Sequence, residues 1–311
     1  MESDRAAQIA GDNPYLSPAR VRAALRALEL RPTRGMGQNF LVDGDALATI
    51  VAAAELARTD TVVEIGPGLG VLTWELAHRA SAVVAVELDR RLAERLRSEM
   101  RRYPHVSIVQ GDVLRLTPAM ILAARDSAVA GDTTPYKVVA NLPYAITSAV
   151  LRHFLSDPLR PELMVVLVQR EVAERICARP GDLSVLAHAV QIYAEPAIVA
   201  HVPATSFFPA PEVESSVMRL RCRPHPAVDD PEEVMRLVKA GFLHARKQLG
   251  NALPGGLTAM GVKLEKERVL AALAVAGVDP VRRAETLTLD EWAAVHRALE
   301  HEGASRHRTS P

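Results

Sequence analysis

The chain has 311 residues, enough for two modest domains, with 49% apolar and 24% charged residues. No apolar run reaches the ~18 residues that a membrane span needs, and the polar start Met1-Glu2-Ser3-Asp4-Arg5 has no secretion-signal core. Two cysteines, Cys177 and Cys222, are too few for a disulfide framework or a metal knuckle, so a reducing cytoplasm is expected.

Net charge is zero, but it is unevenly spread. Tyr15 to Gly37 carries five arginines and one acid, and Arg236 to Arg268 carries seven basic residues and two acids. Such local patches suit RNA or a solvated helix face, and charge alone does not choose between them.

Residues 1–16 show no periodicity and read as a flexible tail. Ser17-Pro18 has the form of a helix start, with Ser as N-cap and Pro in the first turn. That helix runs to about Leu30, places Arg22 and Arg26 on one face, and stops at Pro32. From Thr61 onward, strands alternate with helical stretches. The strands are Val62 to Ile65, Val83 to Val86, Val106 to Val109, Val138 to Ala140 and Met164 to Val168. They are nearly continuously apolar, as parallel strands buried on both faces should be. Leu69 to Arg79 and Arg90 to Arg102 are helical. Ala197 to Val202 and Ser216 to Arg221 are strands joined by the Pro-punctuated loop Pro203 to Pro211, an antiparallel terminal hairpin. The expected fold is therefore an α/β, Rossmann-like, doubly wound sheet with that hairpin at its edge. Beyond Pro224, Pro231 to Phe242, Lys263 to Ala276 and Leu289 to Leu299 are helical, which makes a small all-α domain. The expected boundaries are a flexible tail over 1–16, the α/β domain over 17–222, a helical domain over 223–300 and a flexible tail over 301–311.

The first strand ends in Gly66-Pro67-Gly68-Leu69-Gly70. Glycines at a strand-to-helix turn let a ligand approach the backbone. The spacing is not that of dinucleotide folds, and Pro67 removes an N–H that a pyrophosphate would use. A purely structural turn is the competing reading. The second strand ends at Glu87, followed by Leu88, where a carboxylate can accept both hydroxyls of a ribose. The third ends in Gly111-Asp112-Val113. Asp112 can accept from an adenine amino group and Val113 can cover the ring, although a turn or N-cap Asp is also common. Together these favour S-adenosylmethionine (SAM) over NAD.

The fourth strand ends in Asn141-Leu142-Pro143-Tyr144. An adenine N6 amine is a weak nucleophile because its lone pair is conjugated with the ring. The Asn141 amide oxygen and the Leu142 carbonyl could accept its hydrogens and localise the lone pair. Pro143 stiffens the turn, and Tyr144 offers a face for a flipped base. The donor already carries a good leaving group, so neither a metal nor a strong base is expected, and positioning supplies most of the catalysis. Phe207 and Phe208 adjoin in the Pro-rich loop, either closing the base pocket or filling core.

These motifs together resemble the KsgA (RsmA) family of small-subunit rRNA adenine N6-dimethyltransferases. The resemblance runs from Gly37-Gln38-Asn39-Phe40-Leu41 to about Asp290 and includes Val168-Gln169-Arg170-Glu171-Val172-Ala173, Leu183-Ser184-Val185 and Arg283-Ala284-Glu285. It implies SAM contacts at Asn39, Leu41, Gly66, Glu87, Asp112 and Asn141, a catalytic motif at Asn141 to Tyr144, and an aromatic at Phe207 from a Phe-x-Pro-x-Pro-x-Val-x-Ser pattern. With Gly68, Leu88 and Val113 these complete the expected site. The implied reaction puts four methyl groups on two adjacent adenosines in the 3′-terminal hairpin loop of 16S rRNA, on a late small-subunit particle. The loop Ala178 to Asp182 is shorter than the family's, and Ala245 stands where the family often has Arg. A monomer is expected. The alternatives are an Erm-type 23S rRNA methyltransferase, an assembly factor acting mainly by binding, the mitochondrial transcription-factor branch, which lacks support because no transit peptide is seen, and a DNA adenine methyltransferase, which would more often carry Asp-Pro-Pro-Tyr. A NAD dehydrogenase is disfavoured by Pro67 and the terminal hairpin.

Overall fold

The computed structural model describes residues 13–30, 39–125 and 135–307, with backbone alone beyond residue 300. Residues 1–12, 31–38, 126–134 and 308–311 lie outside it, and with them the Pro32 helix stop and the Gly37-Gln38 part of the resemblance. Backbone contacts divide the chain into two compact units. The first runs to Ala173 and adds Glu195–Cys222; the second takes Glu174–Ala194 and everything from Arg223.

The first unit is built on a seven-stranded sheet. Its seven strands are β2 (Thr61–Ile65), β3 (Ala82–Glu87), β4 (Val106–Gln110), β5 (Tyr136–Asn141), β6 (Leu163–Gln169), β7 (Ala194–Val202) and β9 (Ser215–Cys222), and two two-residue strands, β1 (Phe40–Leu41) and β8 (Phe207–Phe208), form a separate small sheet. The order across the sheet is β4-β3-β2-β5-β6-β9-β7. β4 through β6 are mutually parallel, and β9 runs antiparallel to β6. The sequence-based strands are all present. β2 and β6 are apolar because both faces are covered, and every residue of β2 is buried. β4 differs from expectation: it is the edge strand, only half buried, so its Ser107 and Gln110 are tolerated.

The chain winds outward from β2 to β4, then crosses back to β5 and winds the other way. Ligands bind in such folds beyond the carboxyl ends of the strands where the winding reverses. Here that point lies between β2 and β5. Glu64 pairs with Val139, and continuing this register brings Gly66 alongside Asn141.

Two expectations at the ends of this unit need correction. Residues 13–16 are not a free tail. Asn13 is buried and donates to Val71 O at 2.9 Å and Glu75 Oε1 at 3.0 Å. Tyr15 is buried, and its hydroxyl lies 2.5 Å from Glu99 and 2.9 Å from Arg95. Two buried polar side chains with full partners fix this segment better than any periodicity could. The helix that follows spans Pro18–Ala27; Ser17 occupies its N-cap position but makes no side-chain cap bond. The 203–211 connection is also more than a loop. It holds a 3-10 turn, Ala204–Ser206, and β8, which pairs antiparallel with β1 so that Phe40 faces Phe208 and Leu41 faces Phe207.

The second unit has its own apolar core, centred on Trp292, Leu237, Leu253, Leu273 and Val295. Its helices are Val185–Gln191, Pro231–Phe242, Leu249–Ala259, Lys266–Val275 and Leu289–His307. Residues 174–194 group here rather than with the sheet, because Val185, Ile192 and Tyr193 pack into this core. The shortened loop is anchored by a segment far along the chain: Gly181 N and Leu183 N both donate to Glu285 O, at 2.9 and 3.2 Å. No helix among the described residues is long and apolar enough to cross a membrane.

Candidate active site

The site lies along the carboxyl ends of β2, β3, β4 and β5, in a cavity of about 600 Å³. That volume suits a ligand of nucleoside size. The β2 turn opens it. Gly66, Gly68 and Gly70 have φ of +65°, +59° and +92°, the left-handed region that side chains resist. Space is also tight at two of them: a Cβ on Gly70 would stand 2.5 Å from Leu96 Cδ1, which would have to move, and one on Gly68 3.1 Å from the Phe40 ring.

Glu87 is buried at the end of β3 and clamped by backbone. Gly68 N donates to its Oε2 at 2.9 Å and Asp89 N to its Oε1 at 2.9 Å. Burial raises its pKa, against the pull of these N–H donors. Leu88, beside it, is 67% exposed at the cavity wall. Asp112 caps the short turn after β4, accepting from Leu114 N at 3.0 Å, and the buried Val113 follows it on the wall. The turn-forming role and a place at the cavity therefore coexist in Asp112.

Asn141 ends β5. Its Nδ2 donates to the Asn39 carbonyl at 3.1 Å, so the β5 turn and the β1 segment are joined across the cavity mouth. Leu142 is buried, with its N–H given to Leu167 O at 3.1 Å. The Pro143 carbonyl accepts from Ile146 N at 3.1 Å, which closes the turn. Tyr144 is half buried, and its hydroxyl sits 2.8 Å from Ser215 Oγ on β9, which fixes the ring. Burial raises its pKa, and the Ser215 contact opposes that rise. Asn39, Leu41, Gly66, Gly68, Glu87, Leu88, Asp112, Val113, Asn141, Leu142, Pro143 and Tyr144 thus line one cavity.

Phe207 does not. It is buried in the core beneath β1, and alternation along β8 turns the half-buried Phe208 to the other face. The sequence weighed Phe208 between pocket and core, and Phe207 as the pocket aromatic. In the structure Phe207 fills core.

Several wall residues escaped the sequence reading, Glu64, Phe40 and Tyr15 among them. Glu64 carried the clearest signal, an acid inside an otherwise apolar strand. It is 2% exposed, and its Oε2 has no hydrogen-bond partner among the described residues. Burial pushes the carboxyl up to about 8; Thr73 pulls it down and the neighbouring Glu87 charge adds to the rise.

These groups fit SAM. A nucleoside-sized cavity, a carboxyl clamped by backbone at the end of β3 and a second buried carboxyl with an unused oxygen suit a cationic nucleoside.

A family model described as ribosomal RNA adenine dimethylase matches residues 31–297. The chain is 45% identical over 289 residues to the ribosomal RNA small subunit methyltransferase A of Moorella thermoacetica, covering 92% of this chain and 98% of that protein. It is 44% identical over 276 residues to the protein of that name from Dehalococcoides mccartyi, covering 88% and 90%. Among solved structures it resembles the 23S rRNA methyltransferase ErmE, with a TM-score of 0.63 and 31% identity over 84% of this chain and all of that one. A dimethyladenosine transferase from Plasmodium falciparum shares the fold, with a TM-score of 0.70 at 23% identity over 85% and 98% of the two chains. With its cavity, its β5 turn and a family match over most of its length, this chain belongs to the ribosomal RNA adenine dimethylase family.

Proposed function

We propose that this protein dimethylates N6 of two adjacent adenosines in the 3′-terminal hairpin loop of 16S rRNA, within the small ribosomal subunit, as a cytoplasmic monomer. Family membership makes it an rRNA adenine dimethyltransferase that uses SAM. Two things support the small subunit: relatives at 44–45% identity are named for that subunit, whereas ErmE, named for 23S rRNA, is 31% identical.

The observation that carries the mechanism is the Asn141 amide. Its Nδ2 is committed to the Asn39 carbonyl, which leaves Oδ1 as the end that can accept an N–H from a target amine. The Leu142 carbonyl would take the second N–H. Two acceptors on one amine draw its lone pair out of conjugation with the ring. Tyr144, held by Ser215, presents a ring against which an extruded base stacks. When bound, SAM supplies an activated methyl group and a neutral thioether leaving group. Glu87 would hold the ribose hydroxyls, Asp112 and Val113 the adenine edge and face, and Gly66, Gly68, Asn39 and Leu41 the amino-acid end. Water exclusion by Leu142 and Leu41, both nearly fully buried, strengthens these polar contacts.

The test is transfer from labelled SAM to unmethylated 30S subunits, with 50S subunits and free 23S rRNA in parallel and the modified nucleoside identified by mass spectrometry. Dimethyladenosine in 16S rRNA alone is expected. Label in 23S rRNA would move the assignment to the Erm type, and SAM binding without transfer would leave an assembly role by binding.

A further inference from the structure

The helix Pro18–Ala27 presents Arg20, Arg22 and Arg26 to solvent, with no acid in its first turn. None of the three has an acidic partner among the described residues. Arg22 and Arg26 are like charges one turn apart, and Arg20 adds a cation at the positive end of the helix dipole. Arg26, in the last turn, suits the dipole, but Arg20 at the first turn and the Arg22–Arg26 repulsion do not, and the exposed cations form a surface that an anion would complete.

Arg22 is the one tied to the active site. Its guanidinium lies over the Phe208 ring, 5.2 Å from the centroid. Phe208 pairs with Phe40 across β8 and β1. The Phe40 ring covers Gly68, and the residue before it, Asn39, receives the Asn141 amide. A continuous run of contacts therefore leads from the residue assigned to the target amine out to the Arg22 guanidinium. The contact with Phe208 covers one side of the guanidinium and tethers it there. The N–H edge stays available for in-plane bonds, the geometry that matches phosphate oxygens.

We propose that Arg22, stacked on Phe208, docks the phosphate backbone of the rRNA strand beside the extruded adenosine. The proposal rests on the rRNA reading above and assigns Phe208 the role of supporting a positioning residue. The ligand is a single-stranded ribose-phosphate segment, and Arg26 stands one turn further along the same face to extend the contact.

The test uses the full-length enzyme and Arg22→Gln, which keeps much of the side-chain stem and removes the charge. Affinity for unmethylated 30S subunits is measured over a series of salt concentrations, beside SAM affinity and thermal stability. A phosphate contact predicts that KM for the 30S substrate rises about 5- to 10-fold with kcat nearly unchanged, and that the slope of log affinity against log salt falls by about one. Arg22→Lys should restore the slope and only part of the affinity, since a point charge lacks the stacked fork. An unchanged salt slope in Arg22→Gln, with wild-type transfer intact, overturns the docking role and leaves Arg22 as packing for the helix. Wild-type enzyme that does not modify 30S subunits at all overturns the substrate reading itself, which separates the two failures.

Discussion

Glu64 sits fully enclosed in a strand that is otherwise Val, Ile and Thr, with one oxygen unbonded among the described residues. Burial holds its carboxyl up to about 8, well above the ordinary carboxylate value of 4.5. The folded protein therefore keeps a proton that the unfolded chain has released between those two values. This group's contribution to stability is fully present below pH 4.5 and is lost as pH rises toward 8. Glu64→Gln should flatten that decline and leave the ligand-free variant more stable than wild type at pH 7.5, as read by thermal melts between pH 5.5 and 8. A wild-type melting temperature that climbs across this range, unaltered by the variant, would contradict the assignment. Asn141 gives the complementary case, a residue whose proposed role is chemical. Asn141→Ala removes the proposed amine acceptor and one tie to Asn39. It should lower methyl transfer at least about 100-fold, the scale seen when one preorganised polar contact to a reacting group is lost. SAM binding should weaken only moderately. Wild-type turnover in that variant, measured with labelled SAM, would remove Asn141 from the chemistry.

At the scale of elements, what could be read in the sequence follows from what each element needs. β2, β3, β5 and β6 were legible because burial on both faces demands continuous apolar runs. The cavity followed from the strand ends. β1 and β8 were not legible, since two-residue strands carry no period, and their pairing joins segments more than 160 residues apart in sequence. That Phe207 is buried in the core while Phe208 is only half buried was not legible for the same reason, since β8 was invisible. The helix Leu249–Ala259 was missed because Gly250, Pro254, Gly255 and Gly256 all argue locally against a helix. Packing accounts for two of them: a Cβ on Gly250 would stand 2.9 Å from Pro280 Cβ, and Gly256 is tighter still. A Cβ on Gly256 would stand 1.9 Å from Ala240 O on the neighbouring helix Pro231–Phe242, so the two backbones touch there. Gly256→Ala should cost about 3 kcal/mol or more, at or beyond the top of the usual overpacking range. Gly277→Ala is the control. Its φ of +69° carries strain but nothing lies within 4 Å, so about 1 kcal/mol is expected. Denaturant unfolding of both variants, followed by Trp292 fluorescence, compares them directly, and equal costs would mean that the helices separate freely to admit a methyl group.

At the scale of the whole molecule, the two compact units each enclose their own apolar core, and the cavity lies wholly in the first. The chain has only two tryptophans, and one reports on each unit: Trp74 packs with Leu96 and Met100 in the first, and Trp292 is buried at the centre of the second. A ligand that binds only the folded form stabilises what it binds, by about 2.7 kcal/mol at a concentration of 100 Kd. SAM should therefore raise the unfolding midpoint reported by Trp74 in a Trp292→Phe variant. It should leave the midpoint reported by Trp292 in a Trp74→Phe variant nearly unchanged. Each variant serves as its own reference without SAM, so the modest loss from replacing a buried indole cancels. If instead both midpoints rise by the same amount, the two units unfold as one cooperative body, and occupancy of the cofactor cavity controls the folding of the helical unit as well as the sheet.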